Sequence, residues 1–228
     1  MPGCVNLATF HSVSILTMNM TKARFVHSQL CSDVDDYIHF YPGVRPADTG
    51  CANPRKEDGI YAAHINLLSS IVYSAHIESG TRRWHLILED DAVAGEFALT
   101  RPTWFTETVA KASPDTEMIN LGPNDIALDW SHIGDAFRWS LSRTRLTVLP
   151  KFGVLTQAYA VTEVGAAIIV NQLKSKKCKG NIDMELSALS DRLPTLAMRA
   201  FYKHQRPQPH TIFNAGIFGQ RKGPWPSS

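Results

Sequence analysis

The chain has 228 residues, 44% hydrophobic and 19% charged, a composition that supports a buried core and excludes disordered and fibrous classes. A net charge of +2 offers no dominant basic stripe, which excludes wholesale nucleic-acid binding. The length suits one α/β domain over 1–228.

Val13–Met18 and Tyr37–Phe40 are short apolar runs with a helix-compatible segment, Lys22–Cys31, between them, which predicts a βαβ opening. Pro42-Gly43, Pro46, Asp48-Thr49-Gly50 and Asn53-Pro54 then mark a loop. From Ile60 to Ile77 apolar residues recur every three or four positions, at Ile60, Ala63, Leu67, Ile71 and Ala75, laying one stripe of a long helix on a sheet until Gly80. Trp84–Leu88 is nearly continuous in apolar character, as a strand covered on both faces is. A helix over Pro102–Ala112 and a strand over Glu117–Leu121 follow, the strand running into Gly122-Pro123-Asn124-Asp125.

Ile126–Arg145 carries Trp130, Phe137 and Trp139 without periodicity, and reads as a variable excursion whose aromatics either stack on an acceptor sugar or anchor a loop. Thr156–Val161 is a strand, Glu163–Leu173 a helix, Lys174–Lys179 a basic loop and Asp183–Leu189 a further helix. Beyond Arg199 the basic residues Lys203, His204, Arg206, His210, Arg221 and Lys222 lie among four prolines, too many for a helix. That tail reads either as an arm folding over a diphosphate or as a solvated terminus.

No apolar run reaches the length of a transmembrane segment, and the N-terminus lacks a basic region followed by a hydrophobic one, so the expected location is cytoplasmic. Cys4, Cys31, Cys51 and Cys178 show neither a Cys-x-x-Cys pair nor zinc-like spacing with the nine histidines. They read as free thiols, with a single bridge left open.

The chemistry concentrates in Leu86-Ile87-Leu88-Glu89-Asp90-Asp91-Ala92, where a buried strand stops on three consecutive acidic residues. Adjacent carboxylates repel, and removing them from water is costly unless a cation or strong donors neutralise them. Their hard oxygens suit Mg²⁺ or Mn²⁺, and a cation held by one or two carboxylates shares its other positions with water and substrate phosphates. The alternative is an acidic cluster that only ends a strand and caps a loop. Ligands of open parallel sheets bind outside the carboxyl ends of the strands, which is where the triplet falls. Asp183 similarly reads either as a first-turn residue favoured by the helix dipole or as a general base aimed into the cleft.

Together these features resemble glycosyltransferase family 25. The resemblance is carried by Ile15-Leu16-Thr17-Met18-Asn19-Met20-Thr21-Lys22-Ala23-Arg24, by Gln29-Leu30, by Gly59-Ile60-Tyr61-Ala62-Ala63-His64 and, most specifically, by Leu86 to Ala92. Asn120-Leu121-Gly122, Ala158-Tyr159-Ala160-Val161-Thr162 with Gly165-Ala166, and Ile182-Asp183-x-x-Leu186 follow in the expected order. The N-terminal stretch Met1 to His11, the Trp130 to Arg145 segment and the C-terminus depart from the pattern.

The resemblance implies a GT-A fold: a single-domain α/β/α sandwich with a mostly parallel central sheet, its nucleotide-sugar-binding half near 12–125 and its acceptor-binding half near 126–228. It implies an inverting, Mn²⁺- or Mg²⁺-dependent glycosyltransferase that moves a sugar from a nucleoside diphosphate sugar, UDP-linked, to a glycan or glycoprotein hydroxyl. Asp91 and Glu89 become the metal ligands, with Asp90 beside them against the donor, and Asp183 the catalytic base. His210 reads as an extra metal ligand or as an incidental histidine. Thr17, Asn19, Arg24 and Arg55 are the candidate nucleotide contacts, and His64 either orders the binding loops or is structural. Two other classes compete: a sugar nucleotidyltransferase, disfavoured because Thr17 to Arg24 contains no glycine to cradle a triphosphate, and a non-catalytic binding module of the same fold.

Overall fold

The computed structural model describes residues 4–31, 36–75, 82–122, 137–141, 144–149, 156–176, 178, 180–189, 192–202 and 218–220. Its elements are β1 (Ser12–Thr17), α1 (Met20–His27), β2 (Ile38–Pro42), α2 (Lys56–Ala75), β3 (Trp84–Glu89), β4 (Ala92–Ala94), α3 (Glu96–Thr100), α4 (Trp104–Lys111), β5 (Met118–Asn120), β6 (Phe137–Leu141), β7 (Thr144–Leu149), β8 (Ala158–Thr162), α5 (Glu163–Leu173), α6 (Ile182–Leu189), β9 (Thr195–Tyr202) and β10 (Phe218–Gln220). Among the described residues one sheet has eight strands in the order β2-β1-β3-β8-β5-β9-β7-β6. β1 is parallel to β2 and β3, and β9 is parallel to β5. β8 runs against β3 and β5, and β7 against β6 and β9, so these two oppose the other strands. Helices cover both faces, as the mostly parallel α/β/α sandwich requires.

Strand pleating sends successive side chains to opposite faces. Leu86 and Leu88 of β3 join Val13 and Ile15 of β1 in a core closed by Ala23 and Val26 of α1 and by Trp104 and Phe105 of α4. Ile87 joins Leu16, Tyr159 and Val161 on the other face, under Leu67 and Leu68 of α2, Ile169 of α5 and Leu186 of α6. The α5 boundaries are those of the apolar pattern, with Thr162 capping the Gly165 N–H.

The expected excursion over Ile126–Arg145 is in part a hairpin, since β6 and the start of β7 lie within it and pair antiparallel. The tail also holds regular structure, because β9 carries the chain to Tyr202 and β10 pairs with β4, setting Gln220 against Ala92. The hairpin joins the sheet through β9 and β10 returns to β4, pairings between distant segments that local periodicity does not encode. Trp130, Lys203, His204, Arg206, His210, Arg221 and Lys222 lie outside the described residues.

The free-thiol reading is corrected: Cys4 is bonded to Cys31 and Cys51 to Cys178. The partners are 27 and 127 residues apart, so no local motif announced them. Disulfides persist in oxidising compartments and are rare in the cytosol. Among the described residues no helix is long and apolar enough to cross a membrane.

In the chain-entropy account the longer bridge contributes about 5 kcal/mol and the shorter about 3.5 kcal/mol. Thermal unfolding should therefore shift down by roughly 20 °C in reductant, and Cys51→Ala/Cys178→Ala should lose more than Cys4→Ala/Cys31→Ala; an unchanged Tm would contradict both bridges.

Candidate functional site

Three strand ends build the site. The parallel register of β1 and β3 pairs Leu16 with Glu89, which brings the residues after β1 beside the acidic turn. There Thr17 Oγ1 donates to Asp90 Oδ2 at 2.8 Å, the Met18 N–H approaches the same oxygen at 3.3 Å, and the Asn19 N–H donates to Thr17 Oγ1 at 2.7 Å. The Asn19 side chain turns back to cap α1, accepting from the Thr21 and Lys22 N–H groups at 3.0 and 3.3 Å.

The third end is the start of β8. Because β8 is antiparallel to β3, its first residues arrive where β3 finishes, and the Glu89 N–H donates to the Gln157 carbonyl at 2.9 Å. This sets Thr156 between two carboxylates, its Oγ1 2.6 Å from Glu89 Oε1 and 2.7 Å from Asp183 Oδ1. Asp183 is not the cap of its helix. Asn181 Oδ1 accepts the Asp183 N–H at 3.0 Å, so the Asp183 side chain is left to reach a different element.

α2 closes the other side. A Cβ on Gly59 would lie 2.3 Å from the Val44 carbonyl oxygen, so only glycine lets α2 back so closely onto the loop after β2. One turn on, buried His64 meets Glu89 Oε1 through Nε2 at 3.3 Å and the Tyr159 hydroxyl through Nδ1 at 2.9 Å. An ionised carboxylate only accepts, so Nε2 carries the hydrogen and Nδ1 accepts from Tyr159. Burial raises the Tyr159 hydroxyl well above its usual range, with Glu89 and Asp183 adding to the shift, which keeps it a donor.

Burial opposes ionisation of Glu89, but the hydrogen bond from His64, with Thr156 and Lys56, outweighs it and holds the carboxyl below its ordinary value. Burial raises Asp183 above its ordinary value, and the charge of Glu89 reinforces this against the Thr156 hydrogen bond. The single Thr156 hydrogen serves one carboxylate at a time.

A cavity of about 290 Å³ opens beside these groups. Leu16, Val44, Ile60 and Ala63 give it an apolar side, while Lys22, Lys56 and the carboxylates of Glu89, Asp90 and Asp91 give it a charged one. Thr17, Asn19 and His64 also line it. Arg24 and Arg55 do not; Arg24 is exposed, and Arg55 is engaged with Asp58, whose carboxylate accepts the Arg55 N–H at 2.7 Å. The cavity's cations are instead their neighbours Lys22 and Lys56. Among the described residues no group of three His, Cys, Asp or Glu side chains forms a metal site by itself. Carboxylates of an acidic turn hold a hard cation without a third protein ligand only when phosphate and water supply the remaining positions.

Sequence reasoning missed Thr156, Tyr159, Lys22 and Lys56 as site residues. The first two belong to the strand whose reversed direction was not expected, and a threonine carries no motif of its own.

No family model matches the sequence. No curated protein matches it either. Among solved structures, a glycosyltransferase involved in the glycosylation of the major capsid of PBCV-1 aligns at 13% identity, with 82% of this chain and 80% of that chain covered and a TM-score of 0.43.

Tyr159→Phe removes the donor to His64 Nδ1 while keeping the ring. Denaturant unfolding should show a loss of about 1–3 kcal/mol, the cost of a buried group left without its partner, whereas an unchanged midpoint would contradict the buried pair.

Proposed function

We propose that the chain is an inverting glycosyltransferase that carries a sugar from a UDP-linked donor to a hydroxyl of a glycan or glycoprotein. The observation that carries this reading is the acidic turn lining one lysine-bearing cavity at the carboxyl ends of β1 and β3, with Asp183, which does not itself line the cavity, joined to Glu89 through Thr156. The likeness of the Leu86 to Ala92 and Ile182 to Leu186 segments to glycosyltransferase family 25 supports it.

The apolar side of the cavity suits a nucleoside, and Lys22 and Lys56 suit its phosphates. Thr17 and the cap of Asn19 hold the β1 end in shape beside Asp90. Asp91, with Asp90 or Glu89, would hold a divalent cation, Mn²⁺ or Mg²⁺, which would supply Lewis-acid neutralisation of the leaving diphosphate. Asp183 accepts the proton of the acceptor hydroxyl as that oxygen attacks the anomeric carbon from the face opposite the diphosphate, and a single displacement of this kind inverts the configuration.

Isothermal titration should show UDP binding that Mn²⁺ strengthens, and Asp91→Ala should abolish the Mn²⁺ effect; no binding, or an unaffected variant, moves the site elsewhere. Asp183→Asn should keep that affinity while release of UDP from a UDP-sugar falls by at least about a hundredfold, the scale of a lost general base.

The raised carboxyl of Asp183 gives the rate a sign in pH. The base works only when deprotonated, so turnover should climb with pH through a value above the ordinary 3.8 and flatten beyond it. A profile already flat from pH 4 upward would remove Asp183 from the role.

A further inference from the structure

The acidic triplet is divided where its strand ends: Glu89 is the last residue of β3, and Asp90 and Asp91 lie in the turn that follows. Glu89 follows Leu88 in β3 and so shares a face with Ile87, the face covered by α2, α5 and α6. Its Oε1 is turned to His64 of α2 and to Thr156, which in turn meets Asp183 of α6. Asp90, one residue on, is turned instead to the β1 end, where Thr17 and Met18 hold it. One acidic cluster thus has two destinations.

The α2 and α6 ends of the array are tied independently of it. The Cys51–Cys178 bridge joins the loop before α2 to the loop before α6. Tyr61 of α2 donates its hydroxyl hydrogen to the Leu173 carbonyl at the end of α5, at 2.7 Å. Lys176 pairs with Glu185 of α6 at 2.6 Å. These ties set the backbone of α6 against α2, but none of them touches the Asp183 carboxylate. Among the described residues, Thr156 meets that carboxylate and sets its direction.

We propose that Glu89 serves the acceptor side of the site and not the diphosphate, as the anchor of a Tyr159–His64–Glu89–Thr156–Asp183 hydrogen-bonded array in which Thr156 is the positioning residue for Asp183. This deepens the glycosyl-transfer reading and rests on it. Glu89, held by His64, orients the Thr156 hydroxyl, and the hydroxyl orients the carboxylate that takes the proton. Bases misplaced by fractions of an ångström lose rate without losing substrate, because their contact is made in the transition state. The array's variants therefore separate from variants of the donor site: they change turnover and leave nucleotide affinity alone.

The test uses the full chain with UDP, UDP-galactose and UDP-glucose as probes, each with Mn²⁺, water standing in for the acceptor hydroxyl so that the products are the free sugar and UDP. Thr156→Val and Glu89→Gln should each bind UDP within about threefold of the wild type while UDP release falls at least about tenfold, and Thr156→Ser, which restores a hydroxyl, should recover most of the loss. A Thr156→Val protein that turns over normally overturns the array, as does a Thr156→Ser protein no better than Thr156→Val. A Glu89→Gln protein that loses UDP affinity together with the Mn²⁺ effect returns Glu89 to the diphosphate and overturns the division. Circular dichroism and the UDP-induced rise in Tm show that each variant is folded. Wild-type protein that neither binds UDP nor releases it sinks the glycosyl-transfer reading itself, a failure distinct from all of these.

Discussion

A single hydroxyl lying between two carboxylates is the contact on which the rest of the site depends. Thr156 meets Glu89 at the end of β3 and Asp183 at the start of α6. Two carboxylates brought together away from water repel, and each is costly to bury. The structure lowers that cost from both ends: His64 supports the ionised form of Glu89, while burial favours the protonated form of Asp183. The reversed direction of β8 makes the meeting possible. A parallel strand at that place in the sheet would have brought its last residue, and not Thr156, to the carboxyl end of β3.

The same contact explains how the layers share the work. α2 supplies His64 and, through Gly59, closes onto the loop after β2, forming one wall of the cavity. α6 supplies Asp183 and keeps it free for Thr156 because Asn181 takes over the capping. The bridge from Cys51 to Cys178 fastens the approaches to both helices. The donor-facing half of the acidic turn is held by β1, and β10 runs beside β4 just beyond Asp91.

Local pattern carries much of this fold. Glu163–Leu173 is read at both ends, β1 and β3 within a residue or so, and the stripe of α2 from Ile60 onward is the stripe that packs. Motifs place the acidic turn, His64 and Asp183 in one site, although their sequence separation gives no distance. What local pattern misses is long-range pairing. The two disulfides, the pairing of β7 with β9, the reversed β8 and the return of β10 each join residues whose neighbourhoods look ordinary. The division of the triplet falls where β3 ends and its turn begins, a boundary that three consecutive acids do not mark. Thr156 was not legible, because its role comes from the direction of its strand.

A crystal structure with UDP and Mn²⁺ bound tests the central claim most directly. The account predicts the cation against Asp91, with the diphosphate near Lys22 and Lys56, while Glu89 keeps its contacts with His64 and Thr156. Cation density on Glu89 with the Thr156 contact broken would contradict the division of the acidic turn, and nucleotide density away from this cavity would contradict the site as a whole.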